Sequence, residues 1–188
     1  MNAAEEFEAL VGEHYESLFR FALSLSRSES DARDLTQQTF YIWATKGHQL
    51  RDRSRAKTWL FTTMHRAFLA SQRRHNRFPH HELEQVAGEL PVYLPDLTNQ
   101  VDAAPVLSAL ARVDGNYQAA VALFYLEDHS YQEIADILEV PLGTVKSRIS
   151  RGIIQLRDIL LSGDVAGALV KNRRDLSPTP LPEPIGDS

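Results

Sequence analysis

Apolar residues recur at three- and four-residue steps along most of this chain, the spacing that lines one face of a helix. In residues 5–25 the stripe is Phe7, Leu10, Val11, Leu18, Phe21, Ala22 and Leu25. Ser28 and Asp31 then stand at capping-box spacing, and Ala32, Leu35, Thr39, Ile42 and Trp43 repeat the pattern until Gly47. That predicts a second helix ending at a glycine. After a polar loop, Leu60, Met64, Ala67 and Phe68 define a third helix that starts near Lys57 and runs out at Phe78-Pro79. Three such helices make a small bundle.

The pattern then fades. Residues 79–105 contain Pro79, Pro91, Pro95 and Pro105 with little periodicity, which predicts a flexible linker with room for one short helix over residues 82–88. Helical spacing resumes over residues 106–161. The tail beyond it ends in the run from Ser177 to Pro184, in which every second residue from Pro178 is proline; it is expected to be partly disordered. No strand-period alternation of useful length appears. The expected fold is all-α: two small helical domains, 1–78 and 106–161, joined by a flexible linker over 79–105 and followed by an extension over 162–188.

Composition excludes some chemistry. The chain has no cysteine, hence no disulfide, thiolate metal site or thiol nucleophile, and it has no stretch of membrane-span length. The N-terminus lacks a signal-peptide pattern, so a cytoplasmic protein is expected. The formal net charge of −5 argues against a nucleic-acid partner until its distribution is followed. Residues 51–77 hold eight Lys and Arg against Asp52 alone, and residues 143–157 hold four and no acid. Between them, residues 78–104 carry Glu82, Glu84, Glu89, Asp96 and Asp102 and no basic residue, so the linker is acidic. Two basic blocks separated by an acidic spacer suit two contact surfaces for a polyanion, although each block alone could be a solvated helix face.

The strongest local motif lies over residues 130–149. Ser130 and Glu133 form a capping box, Ile134, Ala135 and Leu138 give the short helix a buried face, and Pro141 ends it. A second helix opens near Gly143 with Val145, Ile149, Leu156 and Leu160 turned inward and Lys146, Ser147, Arg148 and Arg151 turned outward. This is a helix-turn-helix, whose second helix would enter a major groove; Ala135 is small where the two helices cross. Arg148 suits bidentate pairing with guanine, whereas Lys146 and Arg151 suit phosphates.

The run from Gly143 to Gly152 resembles the recognition helix of domain four in extracytoplasmic-function (ECF) sigma factors of the sigma-70 class. Residues 31–40 (DARDLTQQTF) and 57–61 (KTWLF) are similar to the same family's domain two. The resemblance implies promoter recognition on behalf of core RNA polymerase, with promoter DNA as ligand, an anti-sigma factor as a further partner, no cofactor and no metal. It implies that Asp31, Asp34, Leu35, Gln37 and Gln38 face the polymerase, with Phe40 and Trp43 weighted toward the core. The minus-ten strand would be met by Arg51, Arg53, Ser54, Arg55, Lys57, Trp59, Arg66, Arg73 and Arg74, the loop over 47–56 capturing an extruded base. The minus-thirty-five element would be read by Thr144, Lys146, Ser147, Arg148 and Arg151. The sequence departs from the family pattern at Arg66, where asparagine is common, at Glu139, the usual turn glycine, and at Arg33 and Gln38, where acids are common. Thr36 and Thr39 flank the polymerase face, where a phosphate would add about 1.5–2 negative charges.

Rival readings fit less of the chain. A response-regulator output domain would share the helix-turn-helix but leave residues 31–40 and 57–61 unexplained, and a sigma-like adaptor that sequesters an anti-sigma factor would have no use for Arg148. His75, His80 and His81 lie close together without metal-ligand spacing, and no nucleophile elbow, phosphate loop or paired carboxylates appear, so the chain is not expected to be an enzyme.

Overall fold

The computed structural model describes residues 3–77 and 103–162, and within them every regular element is helical. Most of the acidic linker, the short helix expected over 82–88, His80, His81 and the tail from residue 163 lie outside the described residues. The first bundle consists of α1 (Ala3–Ser26), α2 (Glu29–Lys46) and α3 (Ala56–Arg77), with single 3-10 turns at Gly47–Gln49 and Arg53–Arg55 between the last two. The second consists of α4 (Ala103–Leu110), α5 (Gly115–Tyr125), α6 (Tyr131–Leu138) and α7 (Leu142–Leu161). Pro105, counted above with the linker prolines, sits in the first turn of α4, where a missing N–H is no loss.

Local chemistry accounts for the breaks. Arg27 turns the chain through the left-handed region (φ 59°), after which the Ser28 hydroxyl accepts from the Asp31 N–H and starts α2. Gly47 ends α2 against the Trp43 indole; a Cβ there would lie 2.6 Å from the ring, so glycine is required by packing. Leu18, Phe21, Ala22, Leu60, Phe61 and Met64 are fully buried between the first three helices. In the second bundle Leu110, Val113, Leu123, Ile134, Ile137, Val145 and Ile149 form the core. There α7 crosses α5 at Gly152, where a Cβ would come within 2.4 Å of Val121.

The two bundles also pack on one another, α5 against α1 and α6 against α3. At the centre of this seam Arg20 grips the Glu127 carboxylate with Nε and Nη2 at 2.9 and 3.1 Å, and Glu127 is only 4% exposed. Gln118 donates across to the Ser24 carbonyl (2.6 Å), and Lys57 donates to the Glu127 carbonyl (2.8 Å). The His129 ring stands edge-on to Phe61, centroids 4.8 Å apart. Apolar contacts around these groups join the two cores into one cluster.

Candidate nucleic-acid interface

Both halves of the expected capping box are present. The Ser130 hydroxyl accepts from the Glu133 N–H while the Glu133 carboxylate accepts from the Ser130 N–H at 2.8 Å. Ile134, Ala135 and Leu138 are buried as the periodicity predicts. Glu139 then takes a left-handed conformation (φ 55°, ψ 46°), the geometry that makes glycine usual at such a turn. A side chain in that region costs about 1 kcal/mol or somewhat more. Pro141 precedes α7, whose Val145 and Ile149 point into the core and whose Lys146, Ser147 and Arg151 face solvent. Thr144 and Arg148 are half-buried. The polar face of α7 thus presents Lys146 and Arg151 to solvent with Arg148 beside them, and none of the three makes an ion pair among the described residues.

The other basic block is in a different state. Arg53 lies 5.5 Å over the Trp43 ring, donates to the Gly47 carbonyl and pairs with Glu6 at 3.3 Å, so it holds the loop together. Asp52 caps the turn over Arg53–Arg55 by accepting from the Ser54 N–H and hydroxyl. Trp59 meets Trp43 edge-on at 5.1 Å. Arg51, Arg73 and Arg74 are exposed, and Arg74 lines a groove between α2 and α3 together with Asp31, Asp34 and Gln38. Three more of the residues expected at DNA are bonded to the second bundle. Arg55 bonds Asp136 at 3.0 Å, Arg66 grips both carboxylate oxygens of Glu139, and Lys57 is half-buried against the Glu127 carbonyl.

On α2, Asp31, Asp34, Gln37 and Gln38 form an exposed row. Leu35, expected beside them, is 6% exposed and packs in the core, only its edge reaching the groove. The suggestion of phosphate at Thr36 and Thr39 is corrected by their burial: both are 0% exposed, their hydroxyls donating to the Ala32 and Leu35 carbonyls. Phe40 and Trp43 are core, as weighted. Arg33 is paired with Glu29 one turn earlier at 2.7 Å, which blunts its positive charge on this face.

Sequence reasoning missed the seam. Arg20, Gln118, Glu127 and His129 belong to no local motif; a lone acid and histidine in a polar loop look solvated. Burial drives their titration. Desolvation pushes the Glu127 carboxyl up against the opposing pull of Arg20, and it lowers His129 to about 4. Both ring nitrogens of His129 are buried without a hydrogen-bond partner. His65 on α3 is also lowered to about 4, first by burial and then by the positive charge of Arg148.

Residues 10–78 match the family model described as Sigma-70 region 2, and residues 104–156 match Sigma-70, region 4. The ECF RNA polymerase sigma factor SigE of Mycolicibacterium smegmatis is 35% identical over 162 residues, an alignment spanning 84% of this chain and 63% of that relative. The ECF RNA polymerase sigma factor SigL of Mycobacterium tuberculosis is 31% identical, over 79% of this chain and 85% of the relative. Among solved structures, the sigma factor RpoE from Bartonella quintana, crystallised with the anti-sigma factor NepR, superposes with a TM-score of 0.69 at 27% identity, covering 85% of this chain and 99% of that one.

Proposed function

This chain belongs to the ECF RNA polymerase sigma factors, and from that premise we propose how its surfaces divide the work of promoter recognition. A sigma factor directs core RNA polymerase to promoter DNA; it is an initiation factor rather than a catalyst, and we assign this chain no reaction of its own. Residues 1–78 would dock on the polymerase through Asp31, Asp34, Gln37 and Gln38 and engage the minus-ten strand through the loop over 47–56 and the exposed face of α3. Residues 106–161 would read the minus-thirty-five element, Arg148 on base edges and Lys146 and Arg151 on phosphates. The acidic linker over 79–105 would span the gap, turning two weak contacts into one specific contact once polymerase sets their separation.

The observation that carries this reading is the solvent-facing set Lys146, Ser147 and Arg151 on a helix whose partner helix is capped, turned and packed as a helix-turn-helix demands. The solved complex of RpoE with NepR supports an anti-sigma partner for this chain too. No described helix is long and apolar enough to cross a membrane, which is compatible with work in the cytoplasm. Run-off transcription with purified core polymerase and a promoter library tests the proposal. Transcription from a subset of templates is expected; polymerase binding without transcription from any template would favour the adaptor reading.

A further inference from the structure

The last three turns of α7 carry more apolar surface than the described elements cover. Ile153, Leu156 and Ile159 pack against the core, but Ile154 is 49% exposed and Leu161 75%. Those two stand seven residues apart, two turns along one face, and the same stripe followed toward the N-terminus holds Arg151 and Ser147, both exposed. A single exposed leucine is ordinary; a pair on one stripe, at the end where the chain leaves the helix, marks a surface for the segment that follows. That segment has the matching pattern. Ser162 caps α7, Gly163 follows where glycine commonly ends a helix, and Asp164 is a residue type that starts one. Val165, Ala168, Leu169 and Leu176 then recur at helical spacing up to Ser177-Pro178, where a helix usually stops. We propose that residues 165–176 fold back along α7 as an antiparallel helix on the stripe of Ile154 and Leu161, bringing Arg173 and Arg174 beside Arg151 to widen the face that meets DNA phosphates.

Length and charge set the register. Residues 165–176 as helix rise about 18 Å, the same as α7 from Leu161 back to Ser150, and the three residues between them suffice for an antiparallel turn. Val165 then starts level with Leu161, Asn172 comes level with Ile154, and Arg173 and Arg174 arrive within one turn of Arg151. Opposite charges fall together in this register: Asp158, exposed on the stripe between the two apolar residues, lies within a turn of Lys171, and Asp175 is level with Arg151. Gly167 weakens the segment as an isolated helix, and twelve residues are too few to stay helical alone in water, so the segment folds only where the stripe receives it. A second copy of the chain has an equal stripe to offer, but the extension is tethered at millimolar effective concentration, which a separate molecule in dilute solution does not match. The DNA consequence rests on the promoter-recognition reading above; the docking does not.

The chain has no cysteine, so the pair Ile154→Cys with Asn172→Cys reports only on its own encounter. In the full-length protein, in a glutathione redox buffer, that pair should close into an intramolecular disulfide about tenfold faster than Ile154→Cys with Leu181→Cys, whose second thiol lies beyond Pro178. Adding Leu169→Ser with Leu176→Ser, which alters only the extension and leaves the helix-turn-helix untouched, should erase that advantage. Equal closure rates would overturn the docked helix, and so would a disulfide-linked dimer of Ile154→Cys forming faster than the intramolecular bond, which would give the stripe to a second copy. On a duplex promoter fragment bound by holoenzyme, Arg173→Ala with Arg174→Ala should reduce the salt slope by about two and leave base preference at the minus-thirty-five element unchanged. The serine pair, with both arginines intact, should reproduce most of that loss. A slope unmoved by the alanines, or lowered by them and not by the serines, would overturn the shared phosphate face. Failure of the unmodified holoenzyme to recognise any promoter would instead strike the promoter-recognition reading, while the disulfide rates, measured without DNA or polymerase, still decide the docking.

Discussion

The two basic blocks look alike in sequence and differ in the folded chain. On α7, Lys146 and Arg151 stand exposed without an ion-pair partner among the described residues; on α3 and the loop before it, Arg55 and Arg66 are paired and Lys57 is half-buried. The difference lies in what each helix packs against. α7 covers α5 with its apolar face and leaves its polar face to solvent, whereas α3 is enclosed by α1 and α2 on one side and by α6 on the other. Charge density along a sequence therefore says where a polyanion could bind, and tertiary packing decides whether the site is open.

The strongest way to break this contrast is to attack the seam at its centre. Arg20→Ala leaves the Glu127 carboxylate, 4% exposed, buried without its cation, and should lower stability by about 3–5 kcal/mol in urea unfolding. Glu127→Gln, which keeps the shape and a hydrogen bond, should cost less. A loss below about 1 kcal/mol for Arg20→Ala would mean that the seam contributes little to the folded state.

Acid should loosen the same region. A histidine held near 4 when folded and near 6.5 when unfolded stays neutral in the native state while the unfolded chain takes up a proton, so stability is full above about 6.5 and falls as pH drops toward 4. His129 is faced by Phe61 and Lys57 from α3 and by Asp128 and Glu133 from its own bundle, with Glu133 at 3.9 Å, too far for a hydrogen bond. His65 acts in the same direction, and the raised carboxyl of Glu127 offsets part of the effect. Between pH 7.5 and 5 the net loss should be about 2–3 kcal/mol, and His129→Phe should flatten the profile of melting temperature against pH. An unchanged slope in that variant would exclude His129 as its source.

The open face can be sharpened by substitutions of smaller effect. Arg148→Ala should cost about 1–3 kcal/mol at the preferred minus-thirty-five sequence and relax base preference there. Lys146→Ala should weaken binding to every sequence and reduce the salt slope by about one. Equal losses on all templates for both variants would show that neither side chain reads bases.

The smallest effect is expected at the polymerase face. Because Arg33 is already paired with Glu29, Arg33→Glu with Gln38→Glu should tighten core binding by less than about 1 kcal/mol, and only at low salt. A gain that persists in high salt would point to new direct contacts rather than long-range attraction.

Most of the fold was legible because helices announce themselves locally. The stripe at Leu18, Phe21 and Leu25, the cap at Ser28 and the box at Ser130 and Glu133 each depend on residues within a few positions of one another. Lys146, Ser147 and Arg151 on α7 followed from the same periodicity, whereas Arg148, expected to face outward with them, is half-buried. What could not be read depends on partners far apart in the chain: Arg20 with Glu127, Ser24 with Gln118, Arg66 with Glu139. Leu35, Thr36 and Thr39 show a subtler limit. On a helix enclosed by two others the buried arc is wide, and threonine joins it by donating its hydroxyl to the preceding turn, so a polar letter gives no warning of burial.

The contact of Trp43 with Trp59 makes the molecule its own optical instrument. The chain has two tryptophans, both in the first bundle and edge-on at 5.1 Å, with Gly47 beneath one indole and the Arg53 guanidinium over it. Native indole emission thus comes entirely from the pair that frames the loop over 47–56, and the second bundle is dark at that wavelength. If this loop captures a strand as proposed, the capture would displace Arg53 or restack the indoles, and stopped-flow fluorescence on the unlabelled protein would time it without a signal from α7.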